Sequence, residues 1–105
     1  MMGTFDYDDG YLKIDFKSHL IKVDGAEVQL TPVEFKLLRE FLSNAGRILE
    51  YDELLIRPWG LEYKGARNYL HGHVYRLRHK IEPNLKQPRY IISIPGFGYR
   101  FEKKG

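Results

Sequence analysis

Leu70, Val74, Leu77 and Ile81 recur at intervals of four, three and four residues. That spacing lines them up as one apolar stripe on an α-helix. His73, Arg76 and Lys80 fall off the stripe, three to four residues apart, and are expected to share a second face. Pro83 stops the pattern, so a helix is predicted over about 67–82. A second helical pattern lies upstream. Phe35, Leu38 and Leu42 share a face with Leu37 and Phe41 beside them, which predicts a broadly buried helix. Its start is well marked. Thr31 offers a capping hydroxyl, Pro32 sits at the first helical position, and Glu34 completes a capping box. Asn44-Ala45-Gly46 ends it, with Gly46 suited to a left-handed conformation. A shorter helix is predicted from Tyr51 to Arg57, with Leu54 and Leu55 inward and Pro58 as its limit.

At both ends of the chain the period changes to two. Tyr11 to Phe16 alternates, Leu20 to Val23 does so less cleanly, and Ala26 to Leu30 follows. Asp24-Gly25 joins the last two as a hairpin turn, because both residue types tolerate φ > 0. Lys17-Ser18-His19 turns the chain between the first two. After the long helix, Arg89 to Ile94 reads as a strand, Pro95-Gly96-Phe97-Gly98 as a turn, and Tyr99-Arg100-Phe101 as the returning strand. The expected organisation is a single α+β domain. Residues 1–10 form a tail or linker, 11–30 a small antiparallel sheet, 31–83 a three-helix core and 89–102 a hairpin. Three helices followed by a two-stranded hairpin is the winged-helix variant of the helix-turn-helix. Its third helix enters the major groove, and its hairpin reaches a neighbouring groove or the backbone.

Charge sharpens this picture. Residues 64–81 hold five Lys/Arg and three His and no acid, so all 14 acidic residues of the 105-residue chain lie elsewhere. Asp6, Asp8 and Asp9 crowd the N-terminus. The net charge is only +3, so the distribution is more telling than the total. A helix that docks by one side and offers cations on the other suits a polyanion, and nucleic acid above all. The ordinary alternative, a solvated charged face, normally mixes both signs. The cations of 64–80, with Arg100, Lys103 and Lys104, predict that about four to six phosphates are neutralised on binding.

Other chemistries find little support. The chain has no Cys, hence no disulfide framework and no thiolate metal site, as expected of a cytoplasmic protein. No apolar run approaches the length of a membrane span. His71 and His73 are two residues apart, about 200° around a helix, so they diverge and no metal is expected. Gly96-Phe97-Gly98 does not open a helix, so it reads as a turn and not as a phosphate-cradling loop. No nucleophile and base have recognisable spacing, and neither enzyme activity nor a cofactor is expected. Trp59 is expected to plug the core with its indole N–H on a carbonyl.

Four motifs in order carry a family resemblance. They are Leu30-Thr31-Pro32-x-Glu34-Phe35-x-Leu37-Leu38; Trp59-Gly60; His73-Val74-x-Arg76-Leu77-Arg78-x-Lys80-Ile81; and Pro88-Arg89-Tyr90-Ile91 with Gly96-x-Gly98-Tyr99-Arg100-Phe101. From about Tyr11 to Phe101 the chain resembles the C-terminal effector domain of OmpR/PhoB-type response regulators. The resemblance implies sequence-specific binding to double-stranded DNA, usually at direct repeats, with tandem homodimers on DNA. It also implies a receiver domain upstream and contact with RNA polymerase through the 60–66 loop.

Position by position, the resemblance makes Arg76 the main base-reading cation, able to reach G O6 and N7 together. It assigns His73, Arg78, Ser93 and Tyr99 to phosphates. Asn68 and Tyr69 stand where relatives commonly have Arg-Thr; an Asn reads adenine, and Tyr meets phosphate or the thymine methyl. His71 replaces a usual Asp. Gly72 replaces an apolar residue, at a helix cost of ~1 kcal/mol relative to Ala. Pro95 stands where many relatives have a minor-groove Arg. Lys64, Arg67, Tyr75, Lys80 and Gly96 complete the candidate DNA contacts. A winged-helix module that binds protein without specific DNA binding is the alternative.

Overall fold

The computed structural model describes residues 5–104. Seven short strands and three helices follow one another. They are β1 (Tyr7–Asp8), β2 (Leu12–Asp15), β3 (Leu20–Val23), β4 (Ala26–Glu27), α1 (Pro32–Ser43), β5 (Ile48–Glu50), α2 (Tyr51–Trp59), α3 (Arg67–Ile81), β6 (Ile91–Ile94) and β7 (Gly98–Phe101). A single 3₁₀ turn, Leu61–Tyr63, lies between α2 and α3. β1 to β4 make a four-stranded antiparallel sheet in sequence order. The second sheet has the order β5-β7-β6.

The predicted helices form where their local signals put them. Thr31 and Glu34 close the capping box: Glu34 N–H donates to Thr31 Oγ1 at 3.2 Å, and Thr31 N–H donates to Glu34 Oε1 at 2.9 Å. Leu70, Val74, Leu77 and Ile81 of α3 are all buried, as the stripe requires. They meet Leu37, Leu38 and Phe41 of α1 and Leu54 and Leu55 of α2 in one core. Phe35 is only partly buried at the margin of this core and also packs against Phe16 and His19 of the β2–β3 turn. Asp24 and Gly25 take φ of 52° and 82°, the left-handed pair that a tight hairpin needs.

Several boundaries differ from the sequence reading, each for a physical reason. The expected tail contains β1, which pairs with β2 through Tyr7↔Ile14 and Asp8↔Lys13. Residues 1–4 of that tail lie outside the described residues. Asp9 fixes the turn after β1. Its carboxylate accepts from the backbone N–H groups of Tyr11 and Leu12 and from the hydroxyls of Tyr7 and Tyr90. An acid that looked like part of a solvated cluster therefore ties the first sheet to the approach of β6. β4 stops at Glu27, three residues short of Leu30. α2 runs on through Pro58 to Trp59, because proline's φ is already helical and Gly60 N–H closes the turn on Ile56 O at 2.8 Å. β6 begins at Ile91, not Arg89, because the N–H groups of Arg89 and Tyr90 go to the Glu82 carboxylate.

The largest difference is β5. The wing is a three-stranded sheet, with β7 in the middle. β5 contributes Leu49, which is buried, and pairs as Ile48↔Arg100 and Glu50↔Gly98. Gly98 is thereby the first residue of β7. A Cβ there would lie 1.9 Å from Leu49 O, so only glycine lets the two backbones meet.

Candidate nucleic-acid interface

α3 presents three surfaces around its buried stripe. At 100° per residue, the ridge opposite the stripe holds Asn68, Gly72, Tyr75, Arg76 and His79. All except Gly72 are exposed, and none is acidic. Gly72 leaves this ridge low in the middle, and the Arg76 guanidinium lies over it, with Nη1 3.6 Å from where a Cβ would stand. Tyr75 is exposed and meets the His79 ring edge-on at 4.6 Å between centroids. His79 was absent from the sequence-derived site. Its position directly opposite the stripe was the signal that would have found it.

The flank towards α1 is a different surface. Here Lys80 is not a free cation: its Nζ lies 2.6 Å from Glu34 Oε1 and 2.9 Å from Gln29 O. Glu34 is almost fully buried. Burial pushes its pKa up, but the bonds from Lys80 and Thr31 outweigh this, and the net shift is downward. The capping acid and the helix cation thus form one ion pair, which takes Lys80 out of the candidate contact surface. The second face expected for His73, Arg76 and Lys80 is really this flank, and only Arg76 reaches past it to the outer ridge. His73 sits among Tyr69 and Trp59, with ring centroids 4.5 Å and 5.8 Å away. Burial and then the Arg76 charge lower its pKa below the ordinary histidine value. Trp59 packs on Tyr63, Tyr69 and His73, but its buried indole N–H has no partner among the described residues, contrary to the expected carbonyl.

The opposite flank faces the wing. His71 Nδ1 hydrogen-bonds the Tyr99 hydroxyl, and both rings stand edge-on to Tyr51 of α2. His71 and His73 therefore do diverge, one to the wing and one to α1. Arg78 reaches Ile91 O and Ser93 Oγ and lies 5.4 Å from the Tyr99 ring centroid. At the start of the helix, Lys64 and Asn68 are exposed, and the Arg67 guanidinium stacks on Tyr51 at 4.5 Å. The wing tip, Pro95 to Phe97, is exposed, and Gly96 supplies its left-handed turn at φ 84°. Tyr51 N–H holds Phe97 O at 3.2 Å, fixing the tip to α2.

A helix seated on its apolar stripe, with an acid-free outer ridge and a wing locked beside it, is the geometry of the winged-helix regulators. The family model described as transcriptional regulatory protein, C terminal, matches residues 25–101. The chain belongs to this family. The family's OmpR/PhoB type is also what the relatives represent. The chain is 37% identical over 95 residues to the sensory transduction protein RegX3 of Mycobacterium leprae, covering 90% of this chain and 48% of that protein. It is 33% identical to the response regulator DrrB of Thermotoga maritima, an OmpR/PhoB homologue, with a TM-score of 0.82 over 91% of this chain and 43% of that one. It is 30% identical to the DNA-binding domain of Klebsiella pneumoniae RstA, solved in complex with the RstA box, with a TM-score of 0.78 and 95% of each chain covered. The chain spans about half the length of the RegX3 proteins it matches. Within this transcriptional-regulator family, the α+β winged helix is the shared fold.

Proposed function

We propose that this domain binds double-stranded DNA sequence-specifically, as the effector part of a two-component transcription regulator, with α3 in the major groove. The observation that carries the reading is the outer ridge of α3: free of acid, exposed, and backed by a fully buried stripe. Arg76 reads a guanine through O6 and N7, and Asn68 reads an adenine. Tyr69 and Tyr75 flank the base edges, and His79 joins them one turn on. Lys64 and Arg67 hold phosphates, with His73 and Ser93 nearby, and the wing tip at Gly96 lies along the adjoining backbone. His71 and Tyr99 support that wing from below.

The finer partners follow from the family likeness and the exposed surface. They are direct-repeat sites, a tandem homodimer on them, an upstream receiver domain, and RNA polymerase at the 60–66 loop. Leu61 in that loop is 70% exposed, which suits a protein contact. The expected compartment is the cytoplasm; among the described residues no helix is long and apolar enough to cross a membrane.

The test is salt-titrated binding to a duplex selected from a random-sequence pool and to a scrambled duplex. With Lys80 paired to Glu34 and Arg78 tied to the wing, the free cations of this stretch are Lys64, Arg67 and Arg76. With Arg76 on a base and Lys64 and Arg67 on phosphates, about two phosphates neutralised gives a slope of log K on log salt of roughly −2, shallower than the full cation count implies. A flat response, or equal affinity for the two duplexes, overturns the reading in favour of a protein-binding module.

A further inference from the structure

β6 is one of the two edge strands of the wing. Its alternate residues point their backbone groups in opposite directions. Tyr90 O and Ile94 O serve the hairpin side, accepting from Glu102 N–H and Phe97 N–H. The backbone groups of Ile91 face outward, where there is no further strand among the described residues. Its N–H donates to Glu82 Oε2 at 2.8 Å, and its carbonyl accepts from Arg78 Nε at 3.1 Å and Nη2 at 2.7 Å. Both backbone groups of one edge residue are thus satisfied by two side chains four residues apart, at the last turn and C-cap of α3. Arg78 Nη2 also reaches Ser93 Oγ at 2.9 Å, the next outward-facing residue. Glu82 is 8% exposed and takes the N–H groups of Arg89 and Tyr90 as well. Together they act as a substitute strand.

From this geometry we infer that Arg78 and Glu82 are positioning residues, which fix the angle between the recognition helix and the wing. The inference rests on the proposed DNA reading and changes one role within it. The resemblance makes Arg78 a phosphate contact. Its planar fork is already occupied by Ile91 O and Ser93 Oγ, and a half-buried guanidinium in that arrangement is first a structural brace. Holding the helix and the wing at one fixed spacing lets both engage the same duplex, so the second contact forms at high effective concentration. Loosening the brace therefore costs affinity without removing any base contact.

Two variants separate a brace from a phosphate contact. Arg78→Lys keeps the charge but cannot form the fork. Glu82→Gln removes a negative charge near the interface, which by charge alone tightens DNA binding. The readouts are affinity for the selected duplex across salt concentrations, hydroxyl-radical footprints, and amide exchange of Ile91 and Ser93. For a brace, both variants bind about tenfold more weakly or worse. Arg78→Lys leaves the salt slope unchanged, amide exchange in β6 accelerates, and the wing's footprint fades while that of α3 persists. Wild-type affinity in Arg78→Lys, or tighter binding by Glu82→Gln with unchanged exchange, overturns the inference. Should Arg78→Lys fail to fold, Glu82→Gln decides alone, since its tighter or weaker binding separates the two roles. If the unsubstituted chain shows no preference between duplexes, the DNA reading has failed instead.

Discussion

The N-terminal sheet with α1 and the α3–wing unit both depend on charged side chains, but they spend them differently. In the first region the charged groups named here are used internally. Asp9 holds two backbone N–H groups and two tyrosine hydroxyls, Asp15 holds Ser18 and Lys17 N–H, and Glu34 caps α1 and pairs with Lys80. The second region is divided. Arg78, Lys80 and Glu82 are committed to the fold, whereas Lys64, Arg67 and Arg76 stay exposed. The difference shows that a count of cations in a helix is not a count of cations offered to a ligand. A lysine 46 residues from its acid in sequence is a scaffold residue once the two meet.

The largest expected effect tests the seat of α3 beneath both surfaces. Leu77 is fully buried, so Leu77→Ala is expected to cost ~2–5 kcal/mol in chemical denaturation, from lost burial and the cavity left behind. A loss under about half a kcal/mol, typical of surface sites, would mean that the stripe is not the seat.

The next separates committed from free cations directly. Lys80→Ala strands Glu34, 2% exposed, without its cation, and is expected to cost roughly 2–4 kcal/mol of stability. The salt slope of DNA binding by the folded variant should hardly change. A shallower slope by about one with undiminished stability would move Lys80 back to the DNA side of the comparison.

Arg76→Ala should behave in the opposite way. It leaves stability nearly unaltered but loses ~1–3 kcal/mol on the selected duplex and relaxes preference at one base pair. Equal losses on selected and scrambled duplexes would make Arg76 a phosphate contact.

The smallest effect concerns acid. Burial raises the Asp9 pKa, but the bonds from Tyr90, Leu12, Tyr7 and Tyr11 more than reverse this, leaving it lowered. The folded protein therefore binds this proton less tightly than the unfolded chain. The resulting stability is fully present above the ordinary carboxylate pKa of about 4 and is lost as pH falls through the lowered value. Asp9→Asn should flatten the fall in stability on acidification below that point, as followed by urea midpoints against pH. An unchanged acid limb would remove Asp9 as the latch between the first sheet and Tyr90.

Much of this was legible in the sequence because much of it is local. The capping box spans four residues, the hairpin turn two, and the α3 stripe is a periodicity that any helix of those residues must display. The same periodicity gave the buried side of α3, but the face assigned to His73, Arg76 and Lys80 is the flank towards α1, and His79 on the outer ridge was overlooked. β5 was not legible, since three residues with one buried side chain carry no usable period. Nor was the extension of α2 through Pro58, which depends on the bond from Gly60 back to Ile56.

The sequence by itself determined the order of the three helices and the C-terminal hairpin, the buried stripe, the absence of acid along α3 and the family resemblance. The elements and the stripe rest on neighbours within about one or two helical turns, whose geometry the backbone dictates, and the resemblance rests on the order of short local motifs. Only the tertiary structure decided which charges remain available. Lys80 met Glu34, Arg78 and Glu82 met Ile91, and Asp9 met Tyr90 across 81 residues. The physical reason is that buried carboxylates and unpaired edge groups must find partners, and the nearest partners in space are set by packing, not by position along the chain.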